Sequence, residues 1–192
     1  MLSETVEWKD EVIQVGMSEF KNSAHLNRKA LLSLARSKAE STLAIQFFDS
    51  SMIVDELHLL SAVQNAVNAW RGGYMKSRSL DVEMIVYASA QHQIGRALEL
   101  MGVTDETEAV IAVVLGERLD SVKDCMRILG LAIGKEIAPA FHRTLDRIKA
   151  SMKVFNISDS EVALFLTRHD KKSWQRAVSK CLVSRISQVA VG

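Results

Sequence analysis

"VEMIVYASAQHQIGRALELMGV", residues 82–103, sets two patterns back to back. Val82–Ala88 is a nearly continuous apolar run and reads as a strand buried on both faces. Ala88-Ser89-Ala90 are small. After Gln91-His92-Gln93, the residues Ile94, Ala97, Leu98 and Met101 recur at helical spacings of three and four. Gly102 falls at a C′ position, and Val103 supplies the apolar contact that accompanies such a cap. The stretch thus reads as a strand feeding a helix N-terminus, with free amides and the positive end of a helix dipole at the turn.

Either side of it the two patterns alternate. Short apolar runs at Leu43–Phe48 and Ala109–Leu115, and a weaker one at Val12–Val15, predict further buried strands. Leu60, Val63, Val67 and Trp70 predict a helix closed by Gly72-Gly73, and Leu26 to Leu34 a shorter one. Beyond about residue 117 only helical stripes remain. Leu119 to Ile133 is one, and Ile137, Phe141, Leu145, Ile148, Met152 and Phe155 form the next. Ser158-Asp159-Ser160-Glu161 is a capping box with Ile157 and Val162 as its staple, and Trp174 to Val189 is a final stripe. The expected fold class is α/β (α+β), a small mixed sheet packed with helices and followed by a helical C-terminal extension. Residues 1–165 read as a single α/β domain and 166–192 as a basic helical C-terminal extension, with a soft boundary near the polar turn His169–Lys172.

At 192 residues and 48% hydrophobic, the chain is long enough to bury one real core. Its two cysteines, Cys125 and Cys181, lack CxxC spacing, which speaks against a disulfide framework or structural zinc and for a reducing cytoplasm. No charge-free stretch approaches the roughly 18 residues of a membrane span, and the acidic start lacks a signal peptide's basic region. The expected protein is soluble and cytoplasmic, without a membrane partner. A net charge of +1 hides an asymmetry. Residues 135–192 carry 11 Lys/Arg against 5 Asp/Glu, and the first 134 residues carry 13 against 18. Two readings stand: a surface for nucleic acid or an acidic partner, or a solvated helix face.

No catalytic constellation emerges. G-x-S-x-G, the P-loop and G-x-G-x-x-G are all absent. His25, His58, His92, His142 and His169 make no recognisable metal spacing with each other or with Cys, and Asp55 and Glu56 do not share the helical face of His58. Both cysteines read as buried structural thiols. No catalytic residue, metal ligand or cofactor is therefore assigned. Arg71, Lys76 and Arg78 cluster around the connection after Gly72-Gly73, a place where a rigid frame commonly carries binding residues. At the 87–103 turn, Gln93, Arg96 and His92 add donors to the helix amides, which suits a phosphate, a sugar edge or a base edge. Solvated loop charge and an ordinary turn are the alternatives at these two places.

"IQFFDSSMIVDELHLLSAVQNAVNAW", "EMIVYASAQHQIGRALELMGV" and "AVIAVVLGE" resemble the kinase-binding subunit of the KEOPS tRNA-modification complex, whose eukaryotic relatives are the p53-related-kinase-binding proteins. The chain looks like the archaeal type. The shared features are a histidine-led helix, H-x-L-x-A, at His58 to Ala62, and a Gln-Ile turn leading through a helix to Gly-Val, here Gln93-Ile94 to Gly102-Val103. The resemblance covers about residues 42–117, with a weaker fit to about 165. It implies a mixed α/β fold and a non-catalytic accessory subunit that binds the small atypical kinase/ATPase. It further implies support of threonylcarbamoyladenosine formation and a grip on the single-stranded 3′ CCA end of tRNA. Gln93 and Ile94 carry over by motif; Arg71, Lys76, Arg78 and Arg96 join them by charge and location. His92 stands where the family has arginine, which makes any phosphate contact there weaker or pH-dependent. The tail after about Phe165 has no clear family counterpart. Two rival functions are a small enzyme holding a phosphorylated metabolite with His92 as acid/base, and a pure protein-interaction domain.

Overall fold

Polar alternation opens the chain. Leu2–Trp8 (β1) and Glu11–Lys21 (β2) form an antiparallel hairpin whose register pairs Val6 with Ile13. This is a computed structural model, and it describes residues 1–168 and 170–191. Arg28–Arg36 (α1), capped by the Asn27 side chain, leads to Ala44–Asp49 (β3). Three helices follow: Glu56–Gly72 (α2), Leu80–Ala88 (α3) and Ile94–Met101 (α4). Ala109–Gly116 (β4) completes a four-stranded sheet of order β1-β2-β4-β3. Leu119–Ile133 (α5), Leu145–Val154 (α6), Asp159–Phe165 (α7) and Lys171–Gln188 (α8) close the chain. The mixed α/β class is as expected, and the sheet is antiparallel throughout rather than mixed.

The strands bury both faces, which explains why their sequences run apolar without alternating. On β4, Ile111, Val113 and Leu115 enter one core and Val110, Ala112 and Val114 another. The period-2 pleat sorts neighbours to opposite sides. The first core is filled by α2, α3 and α8, through residues such as Leu59, Val63, Met84, Val86, Val178 and Leu182. The second is closed by α5 and α1, through Val122, Met126, Leu129 and Leu31. Ala177, Val178, Cys181, Leu182 and Ile186 of α8 pack into the same core as α2. His169, in the expected soft boundary, lies outside the described residues.

Val82–Ala88, expected as a strand, is helical. Every residue from Glu83 to Ala88 is buried, because α3 is enclosed by neighbours all round, and such a helix is apolar all round. A short apolar run of this kind does not distinguish a buried strand from a buried helix. Glu83 carries the missing clue: fully buried, it accepts from the amides of Lys76 at 3.1 Å and Ser77 at 2.7 Å, bracing the connection before the helix. The Ile137–Phe155 stripe also departs from expectation. Only Leu145–Val154 is helical, since residues 135–137 instead bond along the end of β2, with Lys21 N to Lys135 O and Ile137 N to Glu19 O. β1 has no counterpart in the sequence reading. Gly73 does close α2 in the left-handed region (φ 73°). Gly102 is extended, not left-handed (φ −72°, ψ 152°); a Cβ there would sit 2.5 Å from the Leu98 carbonyl oxygen, so close approach requires the glycine.

One buried ion pair joins the sheet to the chain after α5. Arg143 Nη1 lies 2.9 Å and 3.1 Å from the two carboxylate oxygens of Glu19 on β2, both residues being almost wholly buried. Glu19 also accepts from Ser50 Oγ and the Phe141 amide, and Arg143 Nε donates to the Ile53 carbonyl just ahead of α2. Removing one partner strands a charge in the core. Arg143→Met is expected to cost about 3–5 kcal/mol in urea unfolding, and adding Glu19→Gln to it should recover part of that loss. An unchanged denaturation midpoint in Arg143→Met would show the pair to be dispensable.

Candidate functional site

The turn between α3 and α4 is built by short-range bonds. Ser89 Oγ donates to the Val86 carbonyl and accepts from the Gln91 amide, and Ala90 takes a left-handed conformation (φ 51°). The chain then enters α4 through Gln93, an extended N-cap whose side chain makes no capping bond. Ala97 and Met101 anchor α4 inward, while His92, Gln93, Gly95 and Arg96 are exposed. The amides of Ile94, Gly95 and Arg96 have no partner among the described residues. A Cβ built on Gly95 would meet nothing within 4 Å, so a ligand has open access to the backbone. The turn thus offers free donors at a helix N-terminus, as the sequence reading expects, but it follows a helix instead of a strand.

His58 fixes where that turn sits. Its Nε2 lies 2.7 Å from the Ala88 carbonyl at the end of α3, and its Nδ1 accepts from the Val54 amide at 3.3 Å. The two contacts assign a neutral ring with the proton on Nε2. Phe155, just past α6, meets the ring edge-on at 5.7 Å between centroids. Burial pushes the His58 pKa down to about 4, against the pull of the Ala88 carbonyl. Asp55 caps α2 by accepting from the backbone amide of His58 at 3.0 Å. Burial raises the Asp55 pKa, and the Ser179 hydroxyl beside it and the His58 amide pull it part-way back. An acidic N-cap just ahead of the helix was the available signal for this junction.

Seven residues were candidates for binding, and the structure divides them. His92, Gln93, Ile94 and Arg96 stand together at the start of α4. Arg71 lies thirteen residues along α2 from His58, about 20 Å at 1.5 Å per residue. There its guanidinium stacks 4.1 Å above the Trp70 ring and pairs with Glu11 at the β-hairpin. Lys76 and Arg78 lie in the connection at that same far end, before α3 runs back to Ala88. Within the near group, Arg96 faces Glu99 at 3.8 Å, an exposed pair of little strength. A cleft beside it is lined by Gln91, Arg96, Glu99, Leu100 and Val154. His92 makes no hydrogen bond or ion pair among the described residues.

The lowered His58 pKa gives a signed pH dependence. A histidine binds protons more readily when unfolded (about 6.5) than here (about 4), so this contribution is full above pH 6.5 and is lost as pH falls toward 4. Asp55 opposes it, since a raised carboxyl pKa favours the folded state on acidification. Between pH 7 and pH 5 the His58 contribution should fall by about 2 kcal/mol. His58→Gln should be less stable at pH 7 yet lose less on moving to pH 5. Equal pH slopes for the two proteins in urea unfolding would refute the assignment.

Comparison with known proteins finds one matching family and several relatives. The family described as kinase binding protein CGI-121 matches residues 17–189. Among individual relatives, EKC/KEOPS complex subunit cgi121 of Aspergillus fumigatus is 34% identical over 67 residues, 35% of each chain. EKC/KEOPS complex subunit CGI121 of Yarrowia lipolytica is 28% identical over 72 residues, 38% of this chain and 43% of that one. EKC/KEOPS complex subunit TPRKB of Danio rerio is 27% identical over 111 residues, 58% of this chain and 59% of that one. The chain thus spans from about a third to about three-fifths of these relatives' length. The family match runs through α8, so the tail does have a family counterpart, contrary to the sequence reading. With nine-tenths of its length matched, from β2 to the end of α8, the chain belongs to the kinase binding protein CGI-121 family.

Proposed function

We propose that this protein is a non-catalytic, cytoplasmic accessory subunit that binds the small kinase/ATPase subunit of a KEOPS complex and holds the single-stranded 3′ end of tRNA during threonylcarbamoyladenosine formation. Family membership, together with relatives named as EKC/KEOPS complex subunits, supports the kinase partner and the complex. One observation carries the RNA reading: an exposed helix N-terminus with unpartnered amides, flanked by His92, Gln93 and Arg96 and bare at Gly95. Such a site binds a phosphate or a splayed base edge without altering it. Arg71, Lys76 and Arg78, at the other end of α2 and α3, serve at most a separate part of the RNA.

The same proposal seats the kinase on an apolar groove. Between β2 and α5 runs a groove lined by Phe20, Met126 and Leu131, with Leu131 78% exposed. An exposed leucine on the rim of an apolar groove is the kind of patch through which a protein partner docks.

Two measurements test the proposal. Intact tRNA should bind more tightly than tRNA trimmed of its CCA end, and Arg96→Glu should reduce that preference about ten-fold with the thermal midpoint unchanged. Equal binding of both tRNAs would remove the α4 turn from the site. For the kinase, Leu131→Asp should abolish co-purification of the two subunits while tRNA binding persists. Unimpaired co-purification would place kinase docking elsewhere.

A further inference from the structure

The cations of the last third fall into two groups in the structure. Several are committed internally. Arg143 is buried against Glu19, and Arg185 donates to the Asn156 carbonyl and to Glu161. Lys171 Nζ lies 2.7 Å from His142 Nε2, and Arg176 faces Glu56 at 3.4 Å and Asp55 at 3.6 Å. Arg168, Lys172 and Lys180 are exposed and have no ion pair or hydrogen bond from their side chains among the described residues. With Phe165 and Arg176 they line an open depression of about 430 Å³ where α7 gives way to α8.

This depression has the chemistry of a nucleic-acid contact. Among its described lining residues the one carboxylate is Asp170, which is turned to the backbone and caps α8 by accepting from the Ser173 amide at 2.8 Å. Ser173 Oγ in turn accepts from the amides of Thr167 and Arg168, which holds the backbone at Arg168 against the start of α8, the helix that carries Lys172 and Lys180. Phe165 is 40% exposed, and Lys180 Nζ lies 5.9 Å from its ring centroid. An exposed ring among unpaired cations is the arrangement on which single-stranded nucleic acid stacks its bases and rests its phosphates. An acidic protein would use the cations but would not need the open ring.

Its position links it to the α4 turn. Gln175, in the second turn of α8, donates to the Val54 carbonyl, and Arg176 reaches Glu56, while His58 holds the Ala88 carbonyl. Both features are therefore anchored on residues 54–58, at one end of α2, and Arg71, Lys76 and Arg78 are at the other.

We infer that the α7–α8 depression, through Arg168, Lys172, Lys180 and Phe165, is a second contact for single-stranded RNA, gripping its backbone while the α4 turn holds the terminus. The inference rests on the tRNA-binding reading above. The test uses the full chain and the double variant Lys172→Glu/Lys180→Glu, titrated with intact and CCA-trimmed tRNA across a salt series. The double variant should lose at least ten-fold in affinity for both tRNAs. Its slope of log affinity against log salt should become shallower by roughly 1.4, two phosphate contacts' worth. Any preference for the intact end should survive, because the α4 turn is untouched. Phe165→Leu, which keeps the apolar bulk and removes the flat ring, should weaken binding about ten-fold with little change in salt slope.

If the wild type binds tRNA and the double variant matches it in affinity and slope, this inference falls and the α4 reading stands. If the wild type binds both tRNAs equally and the double variant loses both, the depression stands and the α4 reading falls. Binding of neither tRNA by the wild type overturns both. Loss of kinase capture by the double variant with RNA binding intact would give the surface to a protein and overturn the inference. Circular dichroism and an unchanged thermal midpoint establish that the variants are folded.

Discussion

The segment ahead of α2 is fixed by charge buried inside the protein, and much of the architecture follows from that. Arg143 ties β2 to the Ile53 carbonyl, so the sheet, the irregular stretch after α5 and the entrance to α2 meet at one guanidinium. A buried pair is weak evidence for net stability, but its geometry is unforgiving, because each partner depends on the other for its solvation. Arg143 Nη2 has no partner among the described residues, so the junction is not fully satisfied. Directional bonds of this kind fix position where apolar packing alone would tolerate sliding. Residues 54–58 inherit that precision and pass it on to α3, α4 and α8.

Much of the framework is legible in the sequence, for a physical reason. Leu43–Phe48 and Ala109–Leu115 read correctly as strands because antiparallel strands covered on both faces lose their polar alternation. α5, α7 and α8 read correctly because stripes and the Ser158 capping box are local features. Val82–Ala88 was ambiguous because enclosure on every side erases the helical period just as it erases the strand period. β1 escaped notice because Ser3, Glu4, Thr5 and Glu7 are exposed on an edge strand and only Val6 is buried. Ile137 and Phe141 kept a helical spacing while lying in a segment bonded to β2, a long-range constraint that no local pattern records.

The site divides along the same line. Gln93, Ile94 and Arg96 belong together because they are neighbours in sequence at one helix end. Arg71, Lys76 and Arg78 are close to them in sequence and far in space, because α3 lies between. The cations that do share the near end of α2 come from more than seventy residues later, where only the packing of α8 on α2 could bring them. Contact order defeats a linear reading here. The burial of His58 was equally invisible, since nothing local says that its ring will meet a carbonyl thirty residues away.

Rigidity and openness then divide between neighbouring residues. α1, α2, α6, α7 and α8 each have a side chain that satisfies a first-turn amide, from Asn27, Asp55, Thr144, Ser158 and Asp170. α3, α4 and α5 have none, and the donors of α4 face outward on a turn whose inner side is held by a fully buried, neutral histidine. With a pKa near 4 that ring keeps its charge state through the physiological range, so the turn does not shift with pH near 7. Unsatisfied donors on a mobile loop would lose binding free energy to ordering, whereas donors already fixed in place lose little. A fixed junction beside exposed donors is suited to holding a bound group in position.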